Sequence, residues 1–395
     1  MRLLHIIDRF APATGGPPEA LRQLIRASRA AGTDVEAVCL DDPQADYLKG
    51  IDCPVHALGQ SYLGRFAYSA RLGRWLKENG SRYDALVMHG IWSFPGLATR
   101  AAAQQVGRPY GIFPHGALDP WFNRKYPIKH LKKRLYWPLQ YRVLRDAAAV
   151  FFTTETEREL ASTSFSPSQW RGVVVPYGIS EPETPAGGEE AQREAFYGRF
   201  PELRSKRFFL FLGRIQEKKG CDLLIEGFAR IAGEEPEVDL VLAGPDQEGT
   251  RAKLEKLAEA RGIPRRVHWT GMIQDDVKWG ALRACEAFVL TSHQENLGIS
   301  VVEALAVGRP VLVSTQVNLW PEIREDGVGL AEEDTREGAE RLLRRWFELT
   351  AEERTAMAER ARPCYAARFS MKAAEEAIRS ALDPVQWTPQ SRLKA

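Results

Sequence analysis

The chain has 395 residues, 44% of them apolar and 27% charged. That is a globular balance and too much chain for one ordinary core, so two domains of roughly 150–200 residues are expected. Lys and Arg number 54 against 52 Asp and Glu, so no overall field draws nucleic acid and any electrostatic preference is local. The cysteines (Cys39, Cys53, Cys221, Cys285 and Cys364) are odd in number, widely spaced and without a Cys-x-x-Cys pair. This argues against a disulfide framework or a structural zinc and fits a reducing cytoplasm.

The first nine residues after Met1 are short of apolar length and carry charges, unlike a signal peptide. No apolar run approaches the ~20 residues that span a bilayer. A soluble cytoplasmic protein, at most attached to a membrane surface, is expected. Strands are expected at 3–7, 35–40, 85–89, 110–113, 150–153 and 173–175, and helices at 18–30, 66–77, 97–105, 129–144 and 155–162. That alternation predicts a parallel sheet covered by helices on both faces. Residues 180–207 are rich in Glu, Pro, Gly and Arg and read as a linker with an irregular lead into a new domain. A second series follows, with strands at 208–212, 238–243, 267–269, 287–290 and 310–313. Its helices are expected at 221–231, 251–260, 277–284, 300–306 and 336–349, with two more at 352–362 and 371–382.

The expected fold class is therefore α/β, with two Rossmann-like, doubly wound domains. The division is 1–180, a linker at 181–207, a second domain at 208–365, and a C-terminal helix and tail at 366–395 that packs back toward the first domain. Ligands of such sheets bind beyond the carboxyl ends of the strands, so a cleft where the two domains face each other is the expected active site.

Two motifs carry chemistry. Gly213-Arg-Ile-Gln-Glu-Lys-Lys-Gly220 follows the strand at 208–212. Arg214 and Lys219 would place a bidentate guanidinium and a point charge over a helix start, a combination suited to a diphosphate; a solvated basic turn is the alternative. Glu295-Asn-Leu-Gly-Ile-Ser-Val-Val-Glu303 begins where the strand at 287–290 ends and runs into an apolar helix. Gly298 and Ser300 suit a helix start, whose free N–H groups favour an anion. Glu303, about one turn inside, would accept from ribose hydroxyls, and Glu295 on the loop from hydroxyls of a sugar.

Together these motifs resemble family four of the glycosyltransferases, which have the GT-B fold. The resemblance covers nearly the whole chain and is weakest over 180–207. It implies a retaining, metal-independent hexosyltransferase that takes a UDP- or GDP-linked sugar to a saccharide or lipid-linked acceptor, with no cofactor. The first domain would bind the acceptor and the second the nucleotide sugar. The resemblance puts Arg214 and Lys219 on the diphosphate, Glu303 on the ribose and Glu295 on the donor sugar. It puts the backbone of Asn296, Leu297 and Gly298 near sugar and phosphate. The segment from Thr270 with Met272 and Ile273 is expected to meet the base of the donor. The stretch from Gly308 to Glu322 is similar to members acting on bacterial exopolysaccharides. A nucleotide-sugar epimerase, or a non-catalytic binding protein of the same fold, is the alternative.

In the first half, Gly15 and Gly16 follow the first strand and are placed against the donor. His115, in Pro114-His-Gly116, ends the strand at 110–113 and is placed at the donor sugar or reacting phosphate. His89, Trp92 and Asp119 are acceptor-side candidates for which packing or capping is the stronger reading. Residues 175–179 are similar to the family's hinge, except that Tyr177 stands where the family has Asn. Residues 123–145 hold eight Lys and Arg, interleaved aromatics and no acid, a pattern suited to peripheral contact with an anionic membrane; a solvated charged face or a groove for an anionic oligosaccharide is the alternative. Pro127 and Pro138 work against a clean amphipathic helix there. No Asp-x-Asp and no His-Glu-x-x-His occurs, so the cations are expected to replace a divalent metal, with activity in EDTA.

Overall fold

In the computed structural model, residues 1–11, 16–175, 178, 179, 185, 187–246 and 249–383 are described, Lys129 by its backbone alone. Gly15 and Tyr177 lie outside them. The β-branched and aromatic runs are extended here because helices cover them on both faces. β1 (Arg2–Ile7) keeps Leu3, Leu4, His5, Ile6 and Ile7 all below 5% exposure, the pattern of a buried parallel strand.

The elements follow in order: α1 (Gly16–Ala30), β2 (Asp34–Cys39), β3 (Val55–Ala57), α2 (Ala70–Asn79), β4 (Ala85–His89), α3 (Phe94–Val106) and β5 (Tyr110–Phe113). Then come α4 (Trp121–Lys125), α5 (Pro127–Arg145), β6 (Ala149–Phe152), α6 (Glu155–Ser164) and β7 (Gly172–Val174). They form a parallel seven-stranded sheet in the order β3-β2-β1-β4-β5-β6-β7. α2 starts at Ala70 rather than near 66 because the Ser69 hydroxyl accepts the Leu72 N–H at 3.2 Å and caps it there. α5 is one helix despite its prolines. Pro127 occupies its first turn, where no intrahelical donor is needed, and Pro138 gives up one interior bond.

The second series is α7 (Gly188–Arg199), β8 (Arg207–Leu212), α8 (Cys221–Ile231), β9 (Val238–Ala243), α9 (Arg251–Ala260), β10 (Val267–Gly271) and α10 (Asp275–Ala284). It continues with β11 (Ala287–Leu290), α11 (Ile299–Ala306), β12 (Val311–Ser314), α12 (Trp320–Glu325), β13 (Gly329–Glu332), α13 (Arg336–Glu348) and α14 (Ala351–Arg368). Its parallel six-stranded sheet has the order β10-β9-β8-β11-β12-β13. The chain divides into two compact units, residues 1–180 with 370–395, and residues 181–369. α15 (Met371–Ala381) belongs to the first, where it packs on α1 and its Glu375 accepts from the Thr33 hydroxyl at 2.6 Å.

The stretch 181–207, read from sequence as a linker, contains α7, which packs along α10. A Cβ on Gly280 would stand 1.9 Å from the Gln192 carbonyl oxygen, so the two backbones touch there. Gln192 is fully buried, donating to Asp276 at 3.0 Å and accepting from Arg283 at 2.7 Å. The helix is held by polar side chains and one buried Phe196, so it lacks the apolar period that marks a helix in sequence.

Candidate active site

In both sheets the order reverses beside the first strand of the unit, between β1 and β4 in one and between β8 and β11 in the other. The crevice beyond the strand ends at such a reversal is where open α/β sheets bind ligands. In the second unit that crevice is made by the loop after β8, residues 213–220, and the loop after β11, residues 291–298.

The two loops are locked at the backbone. Gly220 has φ +62°, and a Cβ there would stand 2.0 Å from the Thr291 carbonyl oxygen. The Thr291 hydroxyl donates to the Gly220 carbonyl at 2.8 Å, and the His293 N–H donates to the Lys218 carbonyl at 2.9 Å. The His293 ring is hydrogen-bonded to Asp334 at 3.0 Å, which raises its pKa above the ordinary value against the effect of burial. Lys219 thereby meets Glu295 in a hydrogen-bonded ion pair whose side chains are 15% and 14% exposed. Burial opposes ionisation of Glu295, but the charges of Lys219 and Lys218 outweigh it and hold the carboxyl below its usual range. Glu295 is fixed from behind as well: its N–H donates to the Gln316 carbonyl at 2.9 Å, and its carbonyl accepts from Asn318 at 3.0 Å. Arg214 lies exposed at the start of the same basic loop and makes no hydrogen bond or ion pair among the described residues.

Gly298 caps α11 in a left-handed conformation. Among the described residues the N–H groups of Ile299 and Ser300 make no bond, which leaves the positive end of the helix facing outward. Glu303, in the second turn, accepts from Lys278 of α10 at 2.8 Å. Leu297 and Ile273 are buried, at 6% and 4% exposure, so only their backbones can meet a ligand, whereas Met272 is 56% exposed beyond the end of β10. Asn296 accepts from the Asn318 side chain at 3.4 Å.

In the first unit a cavity of about 600 Å³ opens at the ends of β1, β4 and β5, lined by Asp8, Arg9, Arg65, His89, His115 and Ala117 among others. His115 and Trp92 have positive φ, 52° and 70°, a strained geometry for side-chain-bearing residues that gathers at functional sites. The buried Glu157 holds the His115 turn, accepting from the Gly116 N–H at 2.7 Å with one oxygen and from the Thr153 N–H at 2.7 Å with the other. Burial pushes the Asp8 carboxyl up to about 6, against the opposing effects of Ser93 and Arg9. Gly16 is exposed at the start of α1. Trp92 packs against Trp137 and Phe165, and its indole N–H donates to the Ala117 carbonyl at 3.3 Å. Asp119, two residues earlier, accepts the N–H of Trp121, the first residue of α4, at 2.8 Å. Trp92 is thus packed among aromatic rings, and Asp119 is bonded to the start of α4.

Lys278, His293, Asp334 and His5 went unread in the sequence. His293 had a signal, a polar ring directly past a buried strand. Lys278 had none, since its partner lies on another helix. Among the described residues no group of three or more His, Cys, Asp and Glu side chains is arranged to hold a metal ion.

Two parallel, Rossmann-like sheets, each with its polar residues at the reversal point, define an α/β protein of the GT-B fold. A family profile described as glycosyl transferases group 1 matches residues 194–363, and one described as glycosyl transferase 4-like domain matches residues 15–178. The chain belongs to this family, the group 1 glycosyltransferases of family four. It is 26% identical over 268 residues to mannosylfructose-phosphate synthase of Agrobacterium fabrum, covering 62% of this chain and 57% of that one. The chain thus spans less than two thirds of that relative's length. It is 24% identical over 322 residues to GDP-mannose:cellobiosyl-diphosphopolyprenol alpha-mannosyltransferase of Xanthomonas campestris, covering 78% and 77%. A crystal structure of Anabaena Alr3699/HepE in complex with UDP and glucose superposes with a TM-score of 0.76 at 16% identity, covering 97% and 99%.

Proposed function

We propose that the chain moves a hexose from a nucleoside diphosphate to a saccharide or lipid-linked saccharide, with retention and without a metal, in bacterial polysaccharide synthesis. The observation that carries this reading is the Lys219–Glu295 pair, fixed at the sheet's reversal point beside the open start of α11. The donor's anomeric C–O bond breaks and one to the acceptor oxygen forms, while the acceptor's proton passes to the leaving diphosphate. Lys219, Arg214 and the helix start stabilise the charge that gathers on that diphosphate, as preorganised donors do. Glu295 accepts from sugar hydroxyls. Glu303, aimed by Lys278, accepts from the ribose. The second unit holds the donor and the first holds the acceptor. Relatives named for a GDP-mannose donor and a diphosphopolyprenol acceptor, and a fold neighbour crystallised with UDP, support the substrate classes.

A melting screen against UDP-, GDP- and ADP-linked sugars tests this. One nucleotide family should raise the melting temperature, with stabilisation approaching ~2.7 kcal/mol at a hundred times Kd. Transfer should then persist in EDTA and give a product of unchanged anomeric configuration by NMR. No shift with any sugar nucleotide would sink the reading, and conversion of the donor without an acceptor would reassign it to an epimerase.

The lipid-linked acceptor is supported by α5. Ile128, Leu131, Leu135 and Leu139 lie on one face of it and are 78%, 62%, 81% and 46% exposed. Arg124, Lys125, Lys132, Arg134 and Arg142 flank them, also exposed. A leucine stripe with cationic borders suits the headgroup region of an anionic bilayer. No helix of the described residues is long and apolar enough to cross a membrane. The protein should co-sediment with phosphatidylglycerol vesicles at low salt, much less with phosphatidylcholine, and Leu135→Glu should release it. Equal recovery in both pellets would reject the surface.

A further inference from the structure

The seven-stranded sheet holds three imidazoles in a row. Ile7 is paired with His89, and His89 with Phe113. His5 and His89 therefore project from one face of the sheet, one strand apart and two residues further toward the rim at each step. His115 follows two residues past Phe113, at the cavity. His5 Nδ1 lies 2.9 Å from His89 Nε2, and His89 Nδ1 lies 3.3 Å from His115 Nε2. The last two rings are stacked at 5.5 Å between centroids. Only His115 and His89 reach the cavity; His5 is wholly buried beneath it.

Each of these bonds needs one N–H and one lone pair, so the choice of tautomer at one end fixes the others. The far end decides it. His5 Nε2 is buried and has no partner among the described residues. A proton there would be an orphaned buried N–H, which folded proteins avoid more strictly than an under-used acceptor. The proton therefore belongs on His5 Nδ1, which donates to His89 Nε2. His89 then carries its proton on Nδ1 and donates to His115 Nε2. With Nε2 occupied as an acceptor, the His115 proton must sit on Nδ1.

We infer that His5 and His89 are positioning residues that place the proton of His115 on Nδ1, so that His115 meets an oxygen of the substrate as a hydrogen-bond donor and not as a base. Neutral rings are what the row requires, and burial supplies them. It lowers the pKa of His5 to about 3, of His115 to about 4, and of His89 well below the ordinary histidine value, with its two neighbours adding to the effect. The consequence for catalysis rests on the placement of His115 at the donor sugar or reacting phosphate that the resemblance implies; the tautomer does not.

Long-range 15N–1H correlation spectra of uniformly labelled protein at pH 7.5 read the tautomer directly, with His115→Phe assigning the signals. The expected result is a pyrrole-type Nδ1 and a pyridine-type Nε2 for His115. The opposite assignment overturns the inference. His5→Phe keeps a ring and removes both nitrogens, so the His115 signals should move to the averaged positions of a tautomer mixture; unchanged signals would show that His5 does not position it. His89→Gln can accept from His5 and donate to His115 and should preserve the Nδ1–H form, whereas His89→Leu should lose it. Equal spectra for those two variants also count against the row. If His115 is Nδ1–H in the native protein and His115→Phe turns over normally, the substrate contact fails while the inference stands.

Discussion

Replacing Lys219 by Ala should lower turnover about a hundredfold at saturating acceptor, measured with whichever sugar nucleotide the melting screen selects. Removing one preorganised donor from a site that stabilises developing charge costs roughly 10²–10³ in rate. Here two losses coincide. The ammonium no longer faces the leaving diphosphate, and Glu295, already disfavoured as an anion by its burial, loses the cation that keeps it ionised. Both kcat and kcat/KM should therefore fall, since the lost interaction strengthens as charge develops. Arg214→Ala should lose at least tenfold, on the same scale of lost donors, without disturbing Glu295, because Arg214 makes no bond to the loops. Lys219 and Glu295 act as a pair in this account, so the double variant K219A/E295Q should be little slower than the slower single one. Near-normal turnover of K219A would remove Lys219 from the site of the leaving diphosphate. Fully additive losses would remove only the pairing.

How much of this was legible beforehand depended on whether a feature lies within one element or across several. The central strands could be read because continuous apolar runs such as 208–212 and 238–243 are buried on both faces. β3 and β13 were missed because three and four residues at a sheet's margin, Val-His-Ala and Gly-Leu-Ala-Glu, carry too little pattern. α7 was missed because Gln192 and the approach at Gly280 hold it, neither of which shows in a hydropathy trace. Arg214, Lys219, Glu295 and Glu303 stood out as candidates through loop composition and spacing along the chain. The bonds among them were not legible: Lys219 reaches Glu295 across 76 positions, and Lys278 meets Glu303 from a different helix. His5 left one sign, a single polar residue inside Leu-Leu-His-Ile-Ile. A wholly buried strand has no face for such a residue unless another side chain answers it, and that partner, His89, is 84 positions away.

Gly220→Ala should be a damaging single methyl at the junction of the second unit's two loops. The residue's φ of +62° already disfavours any side chain, by about 1–2 kcal/mol. Its Cβ would also stand 2.0 Å from the Thr291 carbonyl oxygen and 2.9 Å from the carbonyl carbon. Those are backbone atoms at the end of a buried strand, so no side-chain rotation relieves the overlap and the loops must part. Overpacking of that kind adds about 1–3 kcal/mol, and the total should lower the melting temperature by roughly 5–15 °C for a unit of this size. Gly262→Ala separates the two contributions. Its φ is +74°, yet nothing lies within 4 Å of an added Cβ, so it should show the conformational cost alone, about 1 kcal/mol, and unchanged turnover. Activity decides whether the junction matters to the site. Gly220 is the neighbour of Lys219, and Thr291 opens the loop that carries Glu295, so parting them moves the ammonium off the carboxylate it orders. G220A should thus lose turnover well below its melting temperature, while G262A should not. Should the two variants melt and turn over alike, the Gly220–Thr291 contact is not what holds the cation and the carboxylate together.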